Sequence, residues 1–405
     1  FGHQLDGDAG RRIEVTEVVD ELRQILDGVD VVMRRRGDQG DPGHGGADAG
    51  DVHRDLVKTI TVHASHTYPI YVQHGLLAEC GTYIRTATKA AALAVITDDT
   101  VESLYGAAVV SALRNAGFRV EIFVFPHGEA SKCAETLLQV YDFLCEKQFT
   151  RTDAIVALGG GVVGDLAGFA AATYLRGMDF IQIPTTLLAQ VDSSVGGKTA
   201  IDLKGGKNLV GAFKQPVCVL CDPDTLRTLP SATFSDGMGE VVKYGMIRDA
   251  KLFELLAAHN QETIFSVLED VICTCISIKR DVVEADEFDT GERMILNYGH
   301  TLGHAIEGYY HYETYSHGSA VAIGMCLIAE KTCTPEQTAA LKACLQAYHL
   351  PTSVPVPISD LLPFCGVDKK RAGNQLRYIV CETPGKAEIR TASISEFAVW
   401  MEEQA

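Results

Sequence analysis

The sequence predicts an α/β domain followed by a mostly α-helical one. Three observations carry that reading. Between residues 58 and 224, short β-rich runs alternate with helical stretches. One apolar run, Ala154 to Leu158, leads straight into Gly159-Gly160-Gly161-Val162-Val163-Gly164-Asp165 and then an apolar helix. After about Thr225 the strand signals fade and helical periodicity takes over.

The first 57 of the 405 residues stand apart, because all sixteen lysines lie at or after Lys58. Within that extension, Ile13 to Val32 has the apolar spacing of one amphipathic helix, and Gly37 to Asp51 is a Gly- and Asp-rich stretch that reads as a flexible linker. From Lys58 onward, Ile60 to Val62, Ile70 to Val72, Ala91 to Ile96, Val120 to Phe125 and Ala154 to Leu158 read as strands, with helices from Val101 to Ala116 and from Ala134 to Glu146. Cys218-Val219-Leu220-Cys221 has the spacing of a metal or redox pair, but no second pair follows and the segment reads as a core strand. Helical stretches then run from Asp236 to Tyr244, Leu252 to Arg280, Leu302 to Tyr309 and Ala320 to Lys331. The division is 1–57 for the extension, 58–224 for the α/β domain and 225–405 for the helical domain.

A net charge of −18 argues against a nucleic-acid partner, since a phosphate backbone needs a basic stripe. No apolar run approaches the length of a bilayer span, and the first 30 residues lack a basic segment followed by an apolar block, so no membrane partner and a cytoplasmic location are expected. Twelve cysteines scattered from Cys80 to Cys381 without a repeating frame suggest reduced core thiols.

Three constellations carry chemistry. In the glycine loop, small residues let the backbone approach a pyrophosphate while the N–H groups of the next helix face the anion. Asp98, ending an earlier strand, fits either a ribose acceptor or a turn residue. A second block, Pro184-Thr185-Thr186 through Asp192-Ser193-Ser194-Val195-Gly196-Gly197-Lys198-Thr199, is followed by Lys204 and Lys207; three lysines in ten residues of an acidic chain suggest an anion patch. Third, His300 and His304 are four apart on one helix face, with His317 downstream and Glu240 upstream, the imidazole-plus-carboxylate set of a catalytic Zn²⁺.

Together with Gly239-Glu240-Val241-Val242-Lys243 and Leu296-Asn297-Tyr298-Gly299-His300, these blocks resemble the 3-dehydroquinate synthase family within the sugar-phosphate cyclases, over residues 58 to 390 or so. The resemblance implies a Rossmann-like NAD-binding α/β domain before a helical metal-binding one. It implies zinc, or cobalt in its place, held by Glu240, His300 and His317, with His304 turned to the substrate phosphate. NAD is implied to lie over Gly160, Gly161, Val162, Val163, Gly164 and Asp165. Around it would stand Asp98; the loop His127, Gly128, Glu129, Ala130, Ser131 and Lys132; Thr185 and Thr186; and the turn Thr225, Leu226, Arg227 and Thr228. Lys198 and Lys207 would flank the nicotinamide and substrate; Asp192, Lys243, Arg293, Asn297, Lys369 and Lys370 would complete the substrate site, and Arg176 would reach in from a second subunit of a homodimer.

The implied substrate is a small anionic sugar phosphate, 3-deoxy-D-arabino-heptulosonate 7-phosphate. Transient oxidation by NAD, loss of phosphate by β-elimination, re-reduction and an intramolecular aldol closure would give 3-dehydroquinate. Related cyclases acting on a substrate without the carboxylate, a metal-dependent polyol dehydrogenase and a catalytically silent NAD-binding protein are the competing readings; Arg293 and the lysine patch favour the doubly anionic substrate. One position departs from the family pattern, Ser319 standing where Glu is usual; loss of an orienting carboxylate is expected to weaken the metal site or alter ligand orientation, with activity surviving because Glu240, His300 and His317 all remain.

Overall fold

The computed structural model describes residues 57–365 and 375–403. The expected Ile13–Val32 helix, the linker after it, Lys369 and Lys370 lie outside the described residues.

Nine strands precede the first long helix of the second half: β1 (Lys58–His63), β2 (Thr67–Val72), β3 (Ala92–Asp98), β4 (Arg119–Phe125), β5 (Ala154–Gly159), β6 (Asp179–Pro184), β7 (Lys198–Leu203), β8 (Gly206–Phe213) and β9 (Cys218–Cys221). Seven of them form one sheet in the order β1-β2-β9-β6-β5-β3-β4. All neighbours are parallel except β1, which pairs antiparallel with β2 at one edge. Alternation along each strand decides which layer each side chain joins. Leu93 and Val95 of β3 pack with Ile84 of α1 (Cys80–Ala87) and with Val109 and Leu113 of α2 (Ala107–Asn115). Ala92, Ala94 and Ile96 face the other way, onto Leu137, Val140 and Leu144 of α3 (Ala134–Glu146) and Leu166 and Ala170 of α4 (Gly161–Thr173). Covered on both faces, the parallel strands need the continuous apolar runs that the sequence supplies.

The chain leaves β3 for β4 and then returns past β3 to β5, so the winding reverses between β3 and β5. In open parallel sheets the crevice at such a reversal, outside the strand C-termini, is where ligands sit. Because the strands are parallel, Asp98, Phe125, Gly159, Pro184 and Cys221 all end at that one edge.

The second half packs α5 (Ser231–Ile247), α6 (Ala250–Ala257), α7 (Leu268–Ala285), α8 (His300–Tyr309), α9 (His317–Thr332), α10 (Pro335–Ala347) and α11 (Ile394–Glu402). Its core also takes Ile60, Val62, Tyr68 and Ile70 from the β1–β2 hairpin, so the sheet edge and the helices share one apolar cluster. Three features differ from the sequence reading. The stretch expected as one helix from Leu252 to Arg280 is two, α6 and α7, because the Asn260 carboxamide accepts the backbone N–H groups of Glu262 and Thr263 at 3.0 Å each and turns the chain. The lysine-rich patch is an antiparallel hairpin, β7–β8. The helical half carries a second hairpin, β10 (Gln375–Thr383) with β11 (Lys386–Ser393), unannounced by the fading strand signals.

Helices α5, α8 and α9 touch through glycines. A Cβ at Gly318 would stand 2.0 Å from the Asp236 carbonyl oxygen, one at Gly324 2.0 Å from that of Gly299, and one at Gly239 2.8 Å from that of Gly318. Gly299 also has φ +78°, a left-handed conformation that glycine adopts without penalty. Backbone on both sides leaves nothing flexible to yield. Gly324→Ala is therefore expected to cost about 3 kcal/mol or more of unfolding free energy, measured by urea denaturation, and a loss under about 1 kcal/mol would show that the helices part freely.

Candidate active site

The close approach of α5, α8 and α9 brings Glu240, His300 and His317 together, with one ligand atom of each within 4.8 Å of the others. Each follows or precedes one of the contact glycines in sequence: Gly239, Gly299 and Gly318. His300 Nε2 and His317 Nε2 stand 3.3 and 3.4 Å from Glu240 Oε1, and Lys243 pairs with Oε2. Glu240 is 1% exposed, so Lys243 and the two imidazoles stand where water otherwise would.

The far nitrogens of the two histidines are already committed. His300 Nδ1 lies 3.1 Å from the Tyr298 carbonyl oxygen and His317 Nδ1 3.3 Å from Glu307 Oε1. That leaves both Nε2 atoms aimed at the centre, the arrangement of a metal-ligating imidazole with an outer partner. Desolvation opposes a charge on His317, yet hydrogen bonding to Glu240 and Glu307 outweighs it and raises the imidazole to about 10. Burial likewise opposes ionisation of Glu240, but Lys243 and then His300 hold its carboxyl well below the usual range. A buried carboxylate facing two imidazole nitrogens, each ring held through its other nitrogen by an oxygen acceptor, is a donor set that fits a divalent cation. The orienting carboxylate for His317 is Glu307, so it does not depend on position 319; Ser319 instead accepts a hydrogen bond from Ser316 Oγ at 2.9 Å.

Beside this triad is a polar cavity of about 110 Å³. Four cations line it, Lys198, Lys243, Lys279 and Arg293, together with Asp192, Asp289, Asn297 and His300. Lys279, which the sequence reading passed over, is 5% exposed, and its Nζ lies 2.8 Å from Asp192 Oδ1. Burial pushes its ammonium down to about 8, with Asp192 resisting. Burial alone would raise Asp192, but Lys279 and then Lys243 bring its carboxyl down to about 2. Tyr244 Oη donates to the same carboxylate at 2.6 Å. A signal for Lys279 existed: on α7 it sits among Cys275, Ile276, Val282 and Val283, so a charge interrupts the apolar stripe. Arg293 is held by the carbonyl oxygens of Gly196 and Glu287. Gly196 has φ +95°, and a Cβ there would lie 2.5 Å from Arg293 Nη2.

The residues expected to hold a dinucleotide gather at the C-terminal edge of the parallel strands. Gly160 leads into α4 without a side-chain cap, so the first-turn N–H groups of Gly161, Val162 and Val163 lack that partner. A Cβ at Gly160 would meet Thr186 at 3.0 Å, and one at Gly161 would meet Ser193 at 3.3 Å. Gly164 packs α4 against Gln182, where a Cβ would lie 2.9 Å from Oε1. Thr185 is 2% exposed and its Oγ1 has no hydrogen-bond partner. A glycine cradle with an orphaned hydroxyl beside it fits a phosphate-bearing cofactor.

Other expected cofactor residues are engaged within the chain. Asp98 Oδ1 accepts the Val101 N–H at 2.9 Å, which is the turn-residue reading, although its position still faces the crevice. His127 pairs with Asp99 at 2.7 Å. In the same loop, which continues through Gly128, Glu129 and Ala130 to Lys132, Ser131 donates to the Pro126 carbonyl, and Lys132 is buried between Asp165 Oδ2 at 2.7 Å and Asn208 Oδ1 at 2.6 Å. Thr225 bonds within its own turn, Leu226 is buried in the helical core, Arg227 pairs with Asp224, and Thr228 meets Tyr105. Leu226 thus offers a ligand only its backbone.

Three expected substrate residues, Lys207, Arg176 and His304, do not line the cavity. Lys207 stands outside it on β8, 3.8 Å from Glu129. Arg176 lies in the turn between α4 and β6, at the N-terminal edge of the strands and so opposite the crevice; its backbone is left-handed, with φ +67°. His304 is exposed on α8, its ring 5.5 Å from that of His300. The twelve cysteines are free thiols, and Cys218 and Cys221 belong to no candidate metal group among the described residues.

Comparison with known proteins follows this geometry. Residues 122–236 match the family described as 3-dehydroquinate synthase N-terminal, and residues 237–371 match 3-dehydroquinate synthase C-terminal. The 3-dehydroquinate synthase of Clostridium kluyveri is 46% identical over 337 residues, 82% of this chain and 94% of that protein. That of Enterococcus faecalis is 44% identical over 353 residues, 85% of this chain and 98% of its relative. Among solved structures, a 2-deoxy-scyllo-inosose synthase complexed with carbaglucose-6-phosphate, NAD⁺ and Co²⁺ aligns with TM-score 0.76 at 26% identity, covering 86% of this chain and 100% of its own. The 2-epi-5-epi-valiolone synthase ValA of Streptomyces hygroscopicus, with NAD⁺ and Zn²⁺ bound, aligns at 0.74 and 25% identity, covering 84% and 98%. Two matched halves and relatives at this identity settle the family: the chain belongs to the 3-dehydroquinate synthases.

Proposed function

We propose that this chain acts as a 3-dehydroquinate synthase, an NAD- and divalent-metal-dependent lyase that converts 3-deoxy-D-arabino-heptulosonate 7-phosphate into 3-dehydroquinate and phosphate. The observation that carries the reading is the junction of the four-cation cavity with the Glu240, His300 and His317 triad. A neutral polyol has no use for Lys198, Lys243, Lys279 and Arg293 in one cavity, whereas a substrate with a carboxylate and a phosphate answers all of them.

Glu240, His300 and His317 would hold the metal, zinc or cobalt by analogy with the neighbours' bound ions, and the glycine loop with Thr185 would hold NAD. When bound, these groups supply reversible hydride transfer and acidification of the substrate alcohol. The chain's own residues do the rest. Arg293, fixed by two backbone carbonyls, presents its remaining N–H donors to the substrate carboxylate. The lysines face the phosphate, and their field steadies the charge that grows on it as the C–O bond breaks. Asn297 offers an amide to a substrate hydroxyl, while Asp192, held by Tyr244 and Lys279, keeps Lys279 aimed into the cavity. Arg176 completes the site from the second copy of a homodimer, since its own chain leaves it at the far edge of the sheet. Free thiols fit a reducing cytoplasm; among the described residues no helix is long and apolar enough to cross a membrane.

With NAD, Zn²⁺ and the heptulosonate phosphate supplied, phosphate release without net accumulation of NADH is the expected result. Stoichiometric NADH, or no phosphate, would remove the reading. His300→Ala should abolish turnover and lower Zn²⁺ affinity at least about 100-fold, read by equilibrium dialysis; tight binding retained by that variant would contradict the ligand assignment. Lys279 loses its proton above about 8, so KM for the anionic substrate should rise as the pH passes that point. Lys279→Met should show that raised KM, by about 10- to 100-fold, already at pH 7, the loss expected on deleting a charge-assisted contact; a flat profile in the parent protein would exclude Lys279 from substrate binding.

A further inference from the structure

Contacts across the mouth of the cleft bear on how tightly the cavity takes anions. Lys198 opens β7 on the sheet-bearing half, and Asp289 lies in the loop after α7 on the helical half. Lys198 Nζ is 2.5 Å from Asp289 Oδ2, and both side chains line the cavity. The cross-strand partner of Lys198 is Phe213, whose ring meets that of Phe288 edge-on at 5.2 Å. One residue earlier, Glu287 Oε1 accepts from Gln215 Nε2 at 2.9 Å. Three consecutive loop residues, Glu287, Phe288 and Asp289, therefore each grip the hairpin or the strand exit beside it.

The loop is anchored independently of Asp289. The Asp286 carboxylate accepts the backbone N–H groups of Thr290, Gly291 and Arg293 at 2.7 to 3.1 Å. Asp289 itself has φ +57°, a conformation disfavoured for a residue with a Cβ, and its Oδ1 is buried without a hydrogen-bond partner. Here a strained, half-satisfied carboxylate is held inside a cavity otherwise furnished for anions. Chemistry of that kind accumulates where a contact is meant to be exchanged.

We propose that Asp289 sets the anion affinity of the cavity: its carboxylate competes with the substrate's anionic group for the Lys198 ammonium. Four cations in one small cavity would otherwise retain phosphate, which is also a product. An internal carboxylate that must be displaced on binding, and that recaptures Lys198 afterwards, weakens binding of the substrate anion and of released phosphate alike. The inference rests on the proposed function in naming a sugar phosphate as the arriving anion and phosphate as the product released.

Inorganic phosphate is the probe, titrated calorimetrically into the full chain at fixed pH and ionic strength. Asp289→Asn removes the charge and keeps the shape, and Asp289→Gly also relieves the positive φ should the first variant fold poorly. Glu292→Gln is the control, since Glu292 lies three residues on and pairs with Arg248 outside the cavity. Phosphate should bind about 10-fold more tightly to the Asp289 variants and within about 2-fold of the parent to Glu292→Gln, as expected for a charge acting at contact distance and not through the general field. Unchanged or weaker binding by the Asp289 variants, an equal gain in Glu292→Gln, or no phosphate binding by any of these proteins would overturn the proposal. Failure of the functional reading shows separately, as absence of turnover with the heptulosonate phosphate while phosphate binding still responds to Asp289.

Discussion

Three helices meet backbone to backbone around Glu240, and the chemistry of the site depends on that contact. A buried carboxylate is costly unless opposite charge lies within a few ångströms. Here Lys243 comes from the same helix, His300 from the start of α8 and His317 from the start of α9. The imidazoles reach Glu240 only because Gly239, Gly299, Gly318 and Gly324 remove the methyl groups that would hold the helices apart. Packing and site geometry are thus one constraint: whatever spreads these helices also spreads Glu240, His300 and His317.

The same economy governs charge. A chain at −18 gathers four cations from both halves around one cavity, and each lysine there has a carboxylate at hand: Asp289 for Lys198, Glu240 for Lys243, Asp192 for Lys279. Pairing keeps the cavity from carrying four uncompensated positive charges, and it orients each ammonium before a substrate arrives. Preorganised charge of this kind is what stabilises a developing anion, because little reorganisation is left to the reacting step. On the cofactor side the sheet does the corresponding work: parallel strands bring the turns after β3, β4, β5, β6 and β9 to one edge, so residues from Asp98 to Thr228 become neighbours.

Much of this was legible in the sequence. The glycine loop declared itself by lying between an apolar run and an apolar helix, and the strands from Ala92 to Gly159 by their uninterrupted apolar character. Spacing along one helix pairs His300 with His304, whereas the structure groups His300 with Glu240 and His317, and His304 with Glu307 and His317. Lys279 and Asp289 went unread. Their partners Asp192 and Lys198 lie 87 and 91 residues away in sequence, beyond the reach of any local pattern. The β7–β8 hairpin was hidden because its outer strand is exposed along most of its length, so no apolar alternation marks it.

By itself the sequence determined the local matters: which runs bury both faces, where glycine must stand, and which residue types could hold a metal or an anion. Periodicity and steric demand are written into neighbouring residues, so they can be read without the fold. The tertiary structure decided the pairings. Whether His304 or His317 faces Glu240, whether Lys132 meets a ligand or Asp165, and which acid confronts Lys198 all depend on distances between segments tens of residues apart. Those distances are set by how closely helices pack and how strands are ordered, and no local pattern contains them.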